Sequence, residues 1–183
     1  KKHFDQYPVM YFKSFTRGAS GLARPDFFNW EEHIRKLARS HGPDVIVLML
    51  GTNDCQNMEY EQRVLKFASA EWDREYARRI WKILDICREK NPHSLIFWLG
   101  APPMQNQKLN AGVEHVNQIA QMVCQDTTNC WYIETWNHFA NSRGKFTDKA
   151  INPDGHIVDI RADDGVHLTL TGAQLLTGVT LES

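Results

Sequence analysis

The spacing of apolar positions changes several times along the chain, and each change marks an element. Val9 to Phe15 (VMYFKSF) mixes β-branched and aromatic residues and predicts a strand. Asn29 to Ser40 carries a helical period, with Asn29 at the N-cap and Glu32 at the capping-box position. Asp44 to Leu50 is apolar on both faces, the pattern of a buried parallel strand. From Ser69 to Lys90, Trp72, Tyr76, Ile80, Ile83, Leu84 and Cys87 recur at helical spacing until Asn91-Pro92 stops the run. Ser94 to Leu99 (SLIFWL) predicts the next strand, Asn110 to Gln125 the next helix, Trp131 to Glu134 a short strand, and Thr171 onward a final helix.

This alternation of strand and helix implies an α/β domain over residues 1–183, with a parallel sheet and helices on both faces. Ligands of such sheets collect in loops beyond the carboxyl ends of the strands. Trp136 to Arg161, rich in Asn, Gly and Asp, predicts the longest irregular stretch and a cover for the site.

The 183 residues, 42% hydrophobic, suffice for one core. Lys and Arg total 21 against 22 Asp and Glu, so no basic excess points to nucleic acid and no polybasic run to a membrane surface. The longest apolar run, Val45 to Leu50, is six residues, whereas crossing a bilayer takes roughly 20, so no membrane insertion is expected within this chain. The four cysteines show no CxxC spacing and no zinc pattern. Cys124 and Cys130, across a polar turn, read equally as a disulfide or as two buried thiols, and Cys55 and Cys87 as ordinary buried thiols. The start, Lys1-Lys2-His3-Phe4, has neither initiator Met nor signal-peptide pattern and reads as a fragment.

Three loops at expected carboxyl ends carry candidate chemistry: Thr16 to Leu22 (TRGASGL), Gly51 to Asp54 (GTND) and Asp163 to Thr169 (DDGVHLT). In the second, the Asn53 amide can donate to a developing negative charge, while Asp54 suits a loop brace that accepts backbone N–H groups. Ordinary turn chemistry accounts for the same residues. In the third, Asp164 stands three before His167, close enough to accept the Nδ1 proton and leave Nε2 for a nucleophile. The same segment also reads as a helix entry, capped by Thr169 or Thr171, with Asp163 and Asp164 complementing the dipole. Asp154, His156, Asp159, Asp163, Asp164 and His167 crowd one stretch, but no metal-site spacing is present, and neither metal nor cofactor is expected.

Taken in order, RGASGLARPDFFNW, VIVLMLGTNDCQ, the Ala101-Pro102-Pro103-Met104 loop and DGVHLTLTGAQLL resemble the SGNH or GDSL hydrolase superfamily. Within it they look like a bacterial envelope-associated subgroup formerly catalogued as a domain of unknown function. The resemblance runs from about Gly18 to Leu176 and implies a three-layer α/β/α sandwich with a flavodoxin-like sheet. It implies an oxyanion hole built from the backbone N–H of Gly21, or of Gly18, and the side chain of Asn53, with Asp164 and His167 as acid and base. Losing one such donor costs roughly 10²–10³ in rate.

The departure is the nucleophile. The family's Gly-Asp-Ser at the end of its first strand has no counterpart here, and Ser20, the one serine in the right crevice, occupies the glycine loop instead. The resemblance therefore implies a strand, a Gly-Asp-Ser turn and a helix upstream, the strand lying between those at Val9 and Val45. Lys1 to Gln6, followed by Tyr7-Pro8, reads as the end of that helix, and the chain alone is expected to be inactive. The implied activity is that of a serine esterase removing O-acetyl groups from a cell-envelope glycan, or acting on a small ester, in the periplasm or envelope. An O-acyltransferase would use the same triad. A module of another class, binding glycan without catalysis, would use Trp30, Trp131, Trp136 and Phe139 as stacking platforms. Arg24, Met104 and Arg161 are the candidates for lining the pocket.

Overall fold

The computed structural model describes residues 11–152 and 154–182. In chain order the elements are α1 (Trp30–His41), β1 (Val45–Leu48), β2 (Met58–Tyr60), β3 (Arg63–Leu65), α2 (Ala70–Cys87), β4 (Leu95–Leu99), α3 (Gln107–Gln125), β5 (Cys130–Ile133), β6 (Lys149–Ile151), β7 (Ile157–Asp159) and α4 (Leu170–Glu182). Helix boundaries follow their caps. The side chain of Asn29 accepts from Glu32 N at 3.0 Å, Ser69 accepts from Trp72 N, and Asn106 accepts from Leu109 N. That last cap starts α3 at Gln107, three residues before the start expected from its apolar period.

β1, β4 and β5 form a parallel sheet in the order β1-β4-β5, in register Val45↔Leu95 and Leu48↔Trp98, then Phe97↔Trp131 and Leu99↔Ile133. Because side chains alternate across a strand, Ile96 and Trp98 enter the main core against Tyr76, Ile80, Leu84, Val116 and Val123 of α2 and α3. Leu99 and Ile133 point the other way and pack under Leu175, Leu176 and Val179 of α4. The fold is thus α/β, a parallel sheet with helices on both faces, as expected.

Several details differ. Tyr11 to Phe15 form no strand. Phe15 instead joins the rings of Phe28 and Trp30, both centred 5.8 Å away, and the apolar character that suggested a strand is spent on this aromatic cluster. Val9, Met10, the segment Lys1 to Gln6, Tyr7-Pro8 and Ser183 lie outside the described residues. Among the described residues β1 is an edge strand, and on the face away from the main core Val45 and Val47 remain 50% and 51% exposed. Two antiparallel hairpins were not anticipated, β2–β3 and β6–β7. Glu61 and Gln62 turn the first with φ of 48° and 62°, without the Asn-Gly that advertises such a turn. The second interrupts the stretch expected to be irregular, which also holds a 3₁₀ turn at Trp136–Phe139.

Candidate active site

The turn after β1 is organised around Asp54, whose side chain is fully buried. Its Oδ1 accepts from Ala23 N at 2.7 Å and its Oδ2 from the Tyr76 hydroxyl at 2.9 Å. Burial pushes the Asp54 carboxyl above its ordinary value, opposed by the N–H groups of Ala23 and Leu22 and by Tyr76. Asp54 is therefore the expected brace, tying the GTND turn to the glycine loop. Gly21 lies against it so closely that an added Cβ would stand 2.1 Å from Oδ1, and only glycine fits. Gly18 is exposed, with nothing within 4 Å of such a Cβ, so Gly21 is the glycine built into the site.

Asn53 is exposed and donates through Nδ2 to Ser20 O at 3.0 Å. Ser20 O and Gly21 N–H belong to one peptide unit, and among the described residues no peptide bond is cis. The N–H of a trans unit points opposite to its carbonyl. In this arrangement the two candidate donors diverge, and the Asn53 amide has one further N–H beyond the bond to Ser20 O. Ser20 is buried, its hydroxyl donating to Arg17 O and accepting from Trp30 Nε1.

The third loop is held by Arg161. Its side chain is 4% exposed, donates to Val166 O and Pro103 O, each at 2.6 Å, and lies over the rings of Phe139 and Phe146. Burial lowers its pKa to about 10. Arg161, expected to line a pocket, borders the cleft described below and also clamps the DGVH turn to the loop after β4. Gly165, at φ 66°, completes the turn, with its carbonyl accepting from Gln105 N. Met104 is 3% exposed and belongs to a small cluster with Ala101 and Val113 on which Cys55, Trp136 and Val166 pack. It joins the GTND and DGVH turns as a core contact. Arg24 is exposed and forks onto Asp26 at 2.6–3.1 Å.

Asp164 Oδ1 accepts from the N–H groups of Val166 and His167, both at 2.9 Å, and Oδ2 lies 2.6 Å from His167 Nδ1. These bonds, the one from the His167 ring first, hold the carboxyl down to about 2. An ionised carboxylate only accepts, so Nδ1 carries a proton and Nε2 is the ring nitrogen left for another partner. The ring is 80% exposed. Thr169 also caps α4, accepting from Gly172 N at 3.0 Å, so the segment is at once a helix entry and an acid–base pair. Because the Asp164 carboxyl is depressed, its contribution to the turn is present above the ordinary carboxylate range and lost as pH falls toward about 2. Protonation of Asp164 is then expected to add no limb to activity within the ordinary carboxylate range; a kcat/KM profile against pH checks this.

Beside this turn a polar cleft of about 600 Å³ is bordered by Gln105, Phe146, Asp148, Asp159, Arg161 and Asp163. Among the described residues no group of three or more His, Cys, Asp or Glu is placed to hold a metal ion, and no helix is long and apolar enough to cross a membrane. Of the candidate stacking platforms, Phe139 is fully buried, Trp30 and Trp136 are half-buried, and Trp131 is exposed but stacks on Phe97. Three supporting residues escaped the sequence reading of the site: Tyr76, and the pair Glu75 and Arg79. Arg79 donates to Glu75 Oε1, Leu22 O and Glu59 O, each within 3.0 Å, and so fixes the glycine loop from α2. Their signal was polar residues set in the apolar stripe of α2.

Solved structures share this architecture. One described as a carbohydrate esterase family 3 protein from Talaromyces cellulolyticus aligns with a TM-score of 0.58 at 20% identity, covering 94% of this chain and 73% of that one. A lipase/acylhydrolase from Enterococcus faecalis gives 0.58 at 15% identity over 90% and 70%. A peptidoglycan O-acetylesterase gives 0.54 at 16% identity, covering 90% of this chain and 43% of that one. At these identities the likeness shows the fold, a parallel sheet flanked by helices. No curated protein matches the sequence. The model of the family described as Protein of unknown function (DUF459) matches residues 1–183, and the chain belongs to that family.

Proposed function

We propose that this chain supplies the acid, base and oxyanion contact of a serine ester hydrolase, with the nucleophilic serine carried by a segment outside residues 1–183. The carrying observation is His167, its Nδ1 held by the Asp164 carboxylate at 2.6 Å and its Nε2 left to act as base. Nε2 takes the serine proton as the hydroxyl attacks an ester carbonyl, and Asn53 donates to the oxyanion that develops. The imidazolium then protonates the leaving alcohol, and water repeats the sequence on the acyl-enzyme. Ser20 does not fill the nucleophile's role, because its hydroxyl is buried and bonded to Arg17 O. The half-bare face and unpaired edge of β1 among the described residues offer a place for the serine-bearing strand.

The substrate we propose is an O-acetylated glycan of the cell envelope, with the enzyme located there. The fold shared with structures described as a carbohydrate esterase and a peptidoglycan O-acetylesterase supports this reading. The test is fluorophosphonate labelling of the complete protein, together with acetate release from an aryl acetate with and without an added glycan acceptor. Labelling of a serine outside residues 1–183 with release of acetate is expected. Labelling of Ser20, or neither labelling nor acetate release, overturns the proposal, and acetyl transfer to the added glycan in place of release selects a transferase.

A further inference from the structure

Away from the candidate site, the turn between α3 and β5 brings two thiols together. Cys124 is the penultimate residue of α3 and Cys130 opens β5. Both are buried as free thiols, with their sulfurs 3.1 Å apart. The turn holds them there. Thr127 donates from N to Cys124 O at 3.1 Å and from Oγ1 to Val123 O at 2.6 Å, and Asn129, at φ 56°, gives its carbonyl to Ile96 N of β4. A disulfide bond is about 2.05 Å long, so closure needs the sulfurs to approach by only about 1 Å.

We propose that Cys124 and Cys130 are an oxidation site, closing an intrachain disulfide that fastens the end of α3 to the start of β5. Two further observations favour it. The Arg88 guanidinium has buried Nε and Nη2 atoms without a hydrogen-bond partner among the described residues, and its charge acts on both Cys87 and Cys130. Contact with the Cys124 thiol holds Cys130 below its ordinary pKa against the effect of burial, and Arg88 adds to it, whereas the Cys124 thiol is pushed up. The Arg88 charge, which acts on Cys130, favours it as the attacking sulfur. Burial pushes Cys55 and Cys87 up to about 12, and both stay reduced.

The oxidant is a small disulfide of the oxidised-glutathione class. The Cys130 thiolate attacks one of its sulfurs, forming a mixed disulfide and expelling a thiolate that takes up a proton. Cys124 gives its proton to solvent and attacks the Cys130 sulfur, forming the Cys124–Cys130 bond and expelling the second small thiol. Two electrons pass from the protein thiols to the oxidant, which leaves as two thiols. Since both sulfurs are buried in the fold, the exchange takes place as the turn forms during folding.

The test is to refold the complete protein from its reduced, denatured state in a glutathione redox buffer, alkylate without reduction, and digest with trypsin. Residues 109–143 contain both cysteines and no internal Lys or Arg, so they leave as one peptide. That peptide is expected to be unalkylated and lighter by two hydrogens than its reduced form, with Cys55 and Cys87 alkylated. Cys87→Ala leaves the signal unchanged, and Cys124→Ser abolishes it. The oxidised protein is expected to melt about 5 °C above the reduced one. Alkylation of both residues throughout, or bonding of Cys130 to Cys87 or Cys55, overturns the assignment.

Discussion

Replacing His167 with alanine is expected to lower kcat of the complete protein on an acetyl ester roughly 10⁴-fold with little change in KM. The loss falls on kcat because the base acts on the proton in flight and contributes little to holding the ester. Asn53→Ala removes one donor to the oxyanion and is expected to cost less, roughly 10²–10³. Asp164→Ala should be milder than His167→Ala. The carboxylate is 50% exposed and the ring 80%, so water can still satisfy Nδ1–H and partly orient the imidazole. Steady-state kinetics on the three variants give the ranking. A His167→Ala enzyme with undiminished kcat would place the base elsewhere.

Asp54→Ala should destabilise the protein by about 3 kcal/mol, a fall in Tm of roughly 6–12 °C. The change strands the buried Ala23 N–H and the Tyr76 hydroxyl, which then have no acceptor. Tyr76→Phe removes one donor and leaves the carboxylate its backbone partners, so about 1 kcal/mol is expected. Equal effects in thermal unfolding would mean that Asp54 does not brace the loop. Because the same carboxylate seats Gly21 beside Asn53, Asp54→Ala should also lower activity in molecules that remain folded.

The helices were legible because their signals are local. Asn29 is a cap readable from the sequence, and the stripe from Trp72 to Cys87 states its own burial. The spacing of Asp164 and His167 put them within reach of each other but left a helix entry as a second reading, and the turn proves to hold both. The role of Arg161 could not be read in this way. Its burial depends on carbonyls of Pro103 and Val166 and on rings of Phe139 and Phe146, brought from separate stretches by the fold. The two hairpins have strands of three residues each, too short for any period to show. In the described part of VMYFKSF, Tyr11 to Phe15, the ring of Phe15 packs with Phe28 and Trp30 and the segment is not a strand, which residue type alone does not foretell. The divergence of Gly21 N–H from the Asn53 amide depends on one peptide's orientation, which no residue type encodes.

The edge of β1 bears on the order of assembly. Among the described residues its row of backbone groups, beside half-exposed valines, is a template for any extended segment, whether of the same molecule or of another. Competition between the two is a matter of time and concentration, since a tethered segment arrives at a fixed effective concentration while a stranger's chance grows with the amount of protein. Dilute, slow refolding should therefore favour the monomer, and crowded refolding should favour edge-joined aggregates.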